Sequence, residues 1–309
     1  MDYSIVAKST TKAYGEKVAL KEVSFSISKG EIFSLLGRNG AGKTTFIRIA
    51  SGQLLPTSGT VVVGGHDVVT SVEAVREKIA IVPQDARIIR SASAKEFVML
   101  YLTMREMDAA KVEKLALDAI KEVGLLGQEH LPARFLSGGN RHRLLLACVI
   151  ASQAPILFLD EPSIGLDAEA RRELWTTLLA LKKSGKTIVL TTHYMDEAEV
   201  LSDRLAIVDK GVVVKIGSPK QIIEETGYQL RVDVDQEQLR KLKIPKGVDS
   251  YSFGHKQRLI GKTKAIEAIA SQAVKKCLEV SVGRASLEDA FIKIVGIEKN
   301  SDNGGPGGW

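Results

Sequence analysis

The stretch EIFSLLGRNGAGKTTFIRIASG constrains this chain more than any other. An apolar run from Glu31 gives way to a glycine-rich loop and then to a segment of helical spacing that closes at Gly52. The loop residues Gly37, Arg38, Asn39, Gly40, Ala41, Gly42, Lys43 and Thr44, followed by Thr45, fill the pattern G-x-x-x-x-G-K-[ST] completely. Glycines let backbone N–H groups turn inward around phosphate oxygens, and the helix N-terminus adds positive potential. In that pattern Lys43 is placed to bridge β- and γ-phosphates and the Thr44 hydroxyl to bind Mg²⁺.

The remaining segments agree with such a loop. PILFLDEP and KTIVLTTH are continuous apolar runs, as in strands covered on both faces of a parallel sheet. Between them AEARRELWTTLLALKKSG reads as an amphipathic helix with a Lys-Lys-Ser-Gly ending. The order strand, helix, strand predicts a doubly wound α/β core. Before residue 65 the alternation is that of short strands, and from SAKEFVMLYL to LLLACVIA it is helical. At Gly217, Ser218 and Pro219 the character changes, and short strand-like and helical runs then alternate as in a small α+β domain. The expected division is 1–218, with a helical subdomain at about 88–150, then 219–300, then a disordered glycine-rich tail at 301–309. Its terminal Trp309 is read as an unstructured end rather than a docking anchor. A second GKT at Gly261–Thr263 has Lys256 five positions ahead and is read as an ordinary turn outside any strand–loop–helix frame.

Charge and cysteine content narrow the classes. The net charge of +6 comes from 43 basic and 37 acidic residues, a mild excess without a nucleic-acid-binding tail. Cys148, in the apolar run LLLACVIA, and the distant Cys277 offer neither a metal spacing nor a disulfide framework, which points to a reducing compartment. The N-terminus lacks the apolar core of a signal peptide, and no apolar run approaches the ~20 residues of a membrane span. The expectation is a soluble or, at most, peripheral protein.

Two carboxylates, Asp160 and Glu161, end the strand of ILFLDEP. Asp160 is placed to reach Mg²⁺, and Glu161 to accept a proton from, or orient, a water attacking the γ-phosphate. His193 ends IVLTT, where ligands bind in an open α/β sheet, and is placed for a γ-phosphate contact; Gln84 ends AIVPQ, where its amide could touch Mg²⁺ or its water. Far from the first loop, LSGGN (Leu136, Ser137, Gly138, Gly139, Asn140) forms another polar, glycine-bearing helix entrance suited to an anion.

Taken together, Tyr14 in KAYG, the glycine-rich loop, Gln84, LSGGN, LFLDEP, GLD at 165–167 and His193 stand in the order of an ABC-type ATPase, which the chain resembles over residues 1–218. The resemblance implies an α/β P-loop NTPase fold: a RecA-like core with an N-terminal β subdomain and a helical subdomain. It implies ATP and Mg²⁺ as ligands, Tyr14 stacked on adenine, and Asp167 at a dimer seam. Two chains would pack head to tail, with Ser137, Gly138 and Gly139 of one holding the γ-phosphate bound by the other. Asn140 departs from the family's usual Gln, Glu or Met, so an effect on partner contacts or rate is expected there.

THYMDEAE and SLEDAFIKI resemble the DrrA-like ATPases of ABC-2-type exporters. That implies an integral membrane permease on a separate chain, a homodimer or a pair with a related ATPase, and a cytoplasmic place at the inner face of the membrane. The segment from about Ala94 to Gly127 would grip the permease, and the C-terminal domain would control dimerisation. The alternative is a soluble ATP-dependent switch acting on protein or nucleic acid. The mild positive charge and the basic LRKLKIPK at Leu239–Lys246 would suit it, but the basic run is read as solvated surface, and no nucleic-acid partner is expected.

Overall fold

The computed structural model describes residues 2–296, and the expected tail at 301–309, with Trp309, lies outside the described residues. The chain divides into two compact units, residues 1–219 and residues 220 onward.

The first unit opens with β1 (Tyr3–Tyr14), β2 (Lys17–Ser28) and β3 (Ile32–Leu36), then α1 (Lys43–Ala50), β4 (Ser58–Val63) and β5 (His66–Asp67). Next come α2 (Val72–Lys78), β6 (Ile79–Val82), α3 (Ala94–Met104), α4 (Ala109–Glu122) and α5 (Gly138–Ala151). Strands and helices then alternate: β7 (Ile156–Asp160), α6 (Ala168–Lys183), β8 (Thr187–Thr192), α7 (Met195–Leu201), β9 (Arg204–Asp209) and β10 (Val212–Gly217). β2, β1, β4 and β5 form an antiparallel sheet; β10, β9, β3, β8, β7 and β6, in that order, form a second sheet, parallel except for β10.

The continuous apolar strands have a direct cause. Successive side chains point to opposite faces, and here both faces are covered. Phe33, Leu35, Phe158 and Val189 pack beneath the antiparallel sheet and α1, where Phe25 stacks on Phe33 with ring centroids 5.2 Å apart. Leu157, Leu159, Ile188 and Leu190 face the other way, toward Leu144, Leu174 and Leu178. The three helices α3, α4 and α5 join that second cluster through Val98, Leu102, Val112, Ala116, Ile120 and Ala147. Their starts are written locally: Ser93 and Glu96 close a capping box on α3, and Asp108 and Ser137 cap α4 and α5. Cys148 lies inside this cluster, and burial pushes its thiol up to about 12, so it is an inert core residue.

The second unit runs α8 (Pro219–Glu225), β11 (Leu230–Asp235), α9 (Gln236–Leu239), β12 (Asp249–Phe253), β13 (Lys256–Gly261), α10 (Thr263–Lys275), β14 (Val280–Arg284) and α11 (Leu287–Val295). Its antiparallel sheet has the order β12, β13, β11, β14. Val232, Val234 and Leu259 pack against Ile266, Ile269 and Ala273 of α10. The alternate residues build a buried polar cluster instead. Arg258 places Nε 2.7 Å and Nη2 3.1 Å from the two Asp233 oxygens, and its Nη1 lies 3.0 Å from Glu288 and 3.2 Å from the Tyr251 hydroxyl. The second GKT stands outside any strand–loop–helix frame: β13 precedes it and α10 follows, with only Lys262 between them. No loop exists there to wrap a phosphate. No helix among the described residues is long and apolar enough to cross a membrane.

Candidate functional site

The first glycine-rich loop joins the end of β3 to the start of α1, and its first and last glycines are required by space. A Cβ on Gly37 would lie 2.3 Å from the Val208 carbonyl oxygen. Gly42 has φ +109°, and a Cβ there would lie 2.6 Å from the Ala19 carbonyl oxygen. A turn of the β9–β10 hairpin supports the loop from outside: the Gly211 N–H donates to the Ala41 carbonyl at 3.0 Å, and Gly211 accepts from the Lys21 N–H at 2.8 Å.

Lys43 is buried, 4% exposed, and its ammonium is held by the carbonyls of Gly37 at 2.8 Å and Arg38 at 3.1 Å. Its counter-charge is Glu161, Oε1 at 3.1 Å, and the other oxygen of Glu161 meets Nδ1 of His193. The ends of β7 and β8 therefore bring the two carboxylates and the histidine to the loop. Thr44 Oγ1 donates to Asp160 Oδ1 at 3.1 Å, and the Thr191 hydroxyl donates to the same oxygen. Thr191 also accepts from the Glu161 N–H at 2.9 Å. Glu161 has φ +53°, a left-handed conformation that costs a non-glycine residue about 1–3 kcal/mol and persists only where its surroundings fix it.

A cleft of 880 Å³ opens over these groups, lined by Tyr14, Asn39, Gly40, Gly42, Lys43, Thr44, Thr45, Gln84 and Glu161, with Lys17, Lys21 and Lys210 adding positive charge at its wall. Gln84 also lines a neighbouring cleft with Asp160. Tyr14, at the end of β1, is about half exposed, with the Lys12 ammonium 5.2 Å from its ring centroid.

Residues 136–140 do not line that cleft. Leu136 is buried, whereas Ser137 and Gly138 are exposed at the start of α5. The Ser137 hydroxyl accepts from the Asn140 N–H at 3.1 Å, which leaves its proton free to donate outward. Asn140 itself is turned into its own chain, its amide donating to Gln128 Oε1 at 3.0 Å. Asp167 is exposed and caps α6, accepting from the Ala170 N–H at 2.8 Å.

With this geometry in hand, comparison with known proteins is decisive. Residues 20–164 match the family described as ABC transporter. The daunorubicin resistance ATP-binding protein DrrA3 of Streptomyces coeruleorubidus is 31% identical over 96% of this chain and 98% of its own length. The chain belongs to the ABC transporter ATP-binding proteins. The Nod factor export ATP-binding protein I of Bradyrhizobium diazoefficiens is 32% identical over 93% of the chain and 94% of its own length. A dimeric ATP-binding cassette solved in a post-hydrolysis state with ADP and Pi superposes with a TM-score of 0.63 at 29% identity, covering 69% of this chain and 98% of that one. This ABC ATPase therefore binds and hydrolyses ATP, and its P-loop fold is the one the sequence implied.

Several residues of the site gave no motif. Thr191, which orients both Asp160 and Glu161, is visible only as one of the three threonines of β8. Gly211 and Lys210 lie far from the loop in sequence, and only the neighbouring order of β9 and β3 brings them to it.

Proposed function

We propose that this ABC ATPase is the engine of an ABC-2-type exporter, working with an integral membrane permease on a separate chain. The observation that carries the catalytic part is the convergence of Lys43, Asp160, Glu161 and His193 on the glycine-rich loop and the residues beside it. The loop amides from Gly37 to Thr45, the N-terminus of α1 and the Lys43 ammonium match a chain of phosphates in charge and in donors. Tyr14 supplies a face for adenine at the open end of the cleft.

The Thr44 hydroxyl, the Asp160 carboxylate and the Gln84 amide oxygen are hard oxygen donors, the set that suits Mg²⁺. Thr44 and Asp160 already touch. When bound, Mg²⁺ withdraws charge from the β- and γ-phosphate oxygens. Glu161 accepts the proton of the attacking water, and His193 fixes the orientation of that carboxylate.

The exposed Ser137 and Gly138, which line no part of the cleft over Lys43 although Gly138 borders a neighbouring pocket with Gln84, Asp160 and Glu161, serve the ATP held by a partner. A head-to-tail pair closed by two-fold symmetry gives two composite sites, with Asp167 near the seam. ATP then holds the pair together, and hydrolysis releases it. The export reading draws on the relatives named for drug resistance and Nod factor export, and on a match to DrrA3 that spans both units. It places the protein at the cytoplasmic face of the membrane, with the exposed Leu100 and Met104 of α3 toward the permease.

The test is light scattering on size-exclusion chromatography of Glu161→Gln with and without Mg-ATP. The expected result is a mass that doubles only with Mg-ATP. A monomer in both runs, with ATP binding demonstrated, would rule out the homodimer.

A further inference from the structure

α7 starts directly after His193 and Tyr194, and its third residue, Glu197, is completely buried. Its Oε1 accepts two hydrogen bonds, from the hydroxyl of Ser163 and from the indole Nε1 of Trp175 at 3.2 Å, while Oε2 has no hydrogen-bond partner. Trp175 belongs to α6, and Ser163 stands two residues after Glu161. One buried acid thus joins three segments: the turn leaving β7, the turn leaving β8, and α6.

A carboxylate with an unpaired oxygen is expensive in such a place. Burial pushes the Glu197 carboxyl above the usual carboxylate range, against the lowering by Ser163, Thr192 and Trp175, and Asp196 beside it acts in the same direction as burial. The turn it holds needs holding. Glu161 carries the left-handed φ, and the Ile164 N–H returns to the Glu161 carbonyl at 3.2 Å, so a shift of Ser163 is passed to Glu161 within one turn. The half-buried His142 of α5 also engages the backbone of Pro162. Pro162 and Ser163, the two residues after Glu161, are thus each tied to a side chain from another element.

We propose that Glu197 is a positioning residue for ATP hydrolysis, tying the turn that carries Glu161 to the turn that carries His193 through Ser163 and Trp175. The inference rests on Glu161 and His193 being the hydrolytic pair. Glu197 itself touches neither nucleotide nor water; it fixes where the base stands. Gln is isosteric with the neutral acid and keeps an acceptor for both donors, whereas Ala removes the tie.

Steady-state ATPase kinetics and ATP-binding titrations test it on Glu197→Ala, Glu197→Gln, Ser163→Ala and the Ala double variant, with Glu161→Gln alongside. Glu197→Ala is expected to lower kcat about tenfold or more by displacing the base, with the affinity for ATP little changed. Glu197→Gln restores kcat, and the double variant falls no further than Glu197→Ala alone. A wild-type kcat in Glu197→Ala, or a loss that Gln does not restore, would overturn the proposal. If Glu197→Ala does not fold, Ser163→Ala decides: its kcat must fall, and a wild-type value overturns the tie. Turnover surviving in Glu161→Gln would instead remove the catalytic reading on which the inference rests.

Discussion

Glu161→Gln is expected to lower kcat for ATP hydrolysis by about 10²–10⁴-fold while ATP binding survives, because an amide of the same shape cannot accept the proton of the attacking water. That loss corresponds to about 3–5 kcal/mol in the barrier. The Gln oxygen can still receive the Lys43 ammonium, 3.1 Å away in the present arrangement, so the loop should keep its shape. Phosphate release and a binding titration on the same preparation separate the two effects. Wild-type turnover in this variant would remove Glu161 from its role.

Lys43→Ala is expected to abolish tight ATP binding, lowering kcat/KM by more than about 10³-fold, since it removes the one ammonium inside the loop together with its charge-assisted hydrogen bonds. A second effect runs through stability. Glu161 is 7% exposed, and without Lys43 it is left a buried carboxylate with only His193 as partner, a situation that typically costs about 3–5 kcal/mol. The two effects can be separated by adding Glu161→Gln to Lys43→Ala. The double variant should recover most of the unfolding stability, because no unpaired charge remains, and none of the ATP binding. Chemical denaturation and nucleotide titration on both variants check this. Undiminished ATP binding by Lys43→Ala would contradict the reading of the loop.

Much of this was legible in the sequence, for reasons that differ by element. The loop was readable because backbone geometry and phosphate chemistry demand glycines and a lysine at fixed spacing, and the structure leaves no room for a side chain at Gly37 or Gly42. The buried strands were readable because packing on both faces forbids polar alternation, as Phe158 and Leu159 show by facing opposite clusters. What remained hidden depends on contacts between distant residues. Thr191 looks like any strand threonine until β8 lies beside β7. Glu197 sits among the acidic residues of THYMDEAE, and nothing in its spacing distinguishes it from the Asp196 and Glu199 that flank it. The second GKT was read as lying outside any strand–loop–helix frame, and the frame is indeed absent: a strand and a helix flank it with no loop between them.

In the proposed composite site the loop comes from one chain and LSGGN from another. Gly138→Asp offers a clean way to spoil the second half: a Cβ there meets nothing within 4 Å, and an acid in the first turn of α5 suits the helix dipole, so the chain should fold. Its carboxylate would face, and repel, the partner's phosphate. The decisive measurement is ATP turnover by Gly138→Asp chains, by Lys43→Ala chains, and by the two mixed. Neither should turn over ATP alone, and the mixture should, because a mixed pair joins the intact loop of one chain to the intact LSGGN of the other. Wild-type turnover by Gly138→Asp alone, or a mixture as inactive as its parts when both chains are folded, would contradict the composite site.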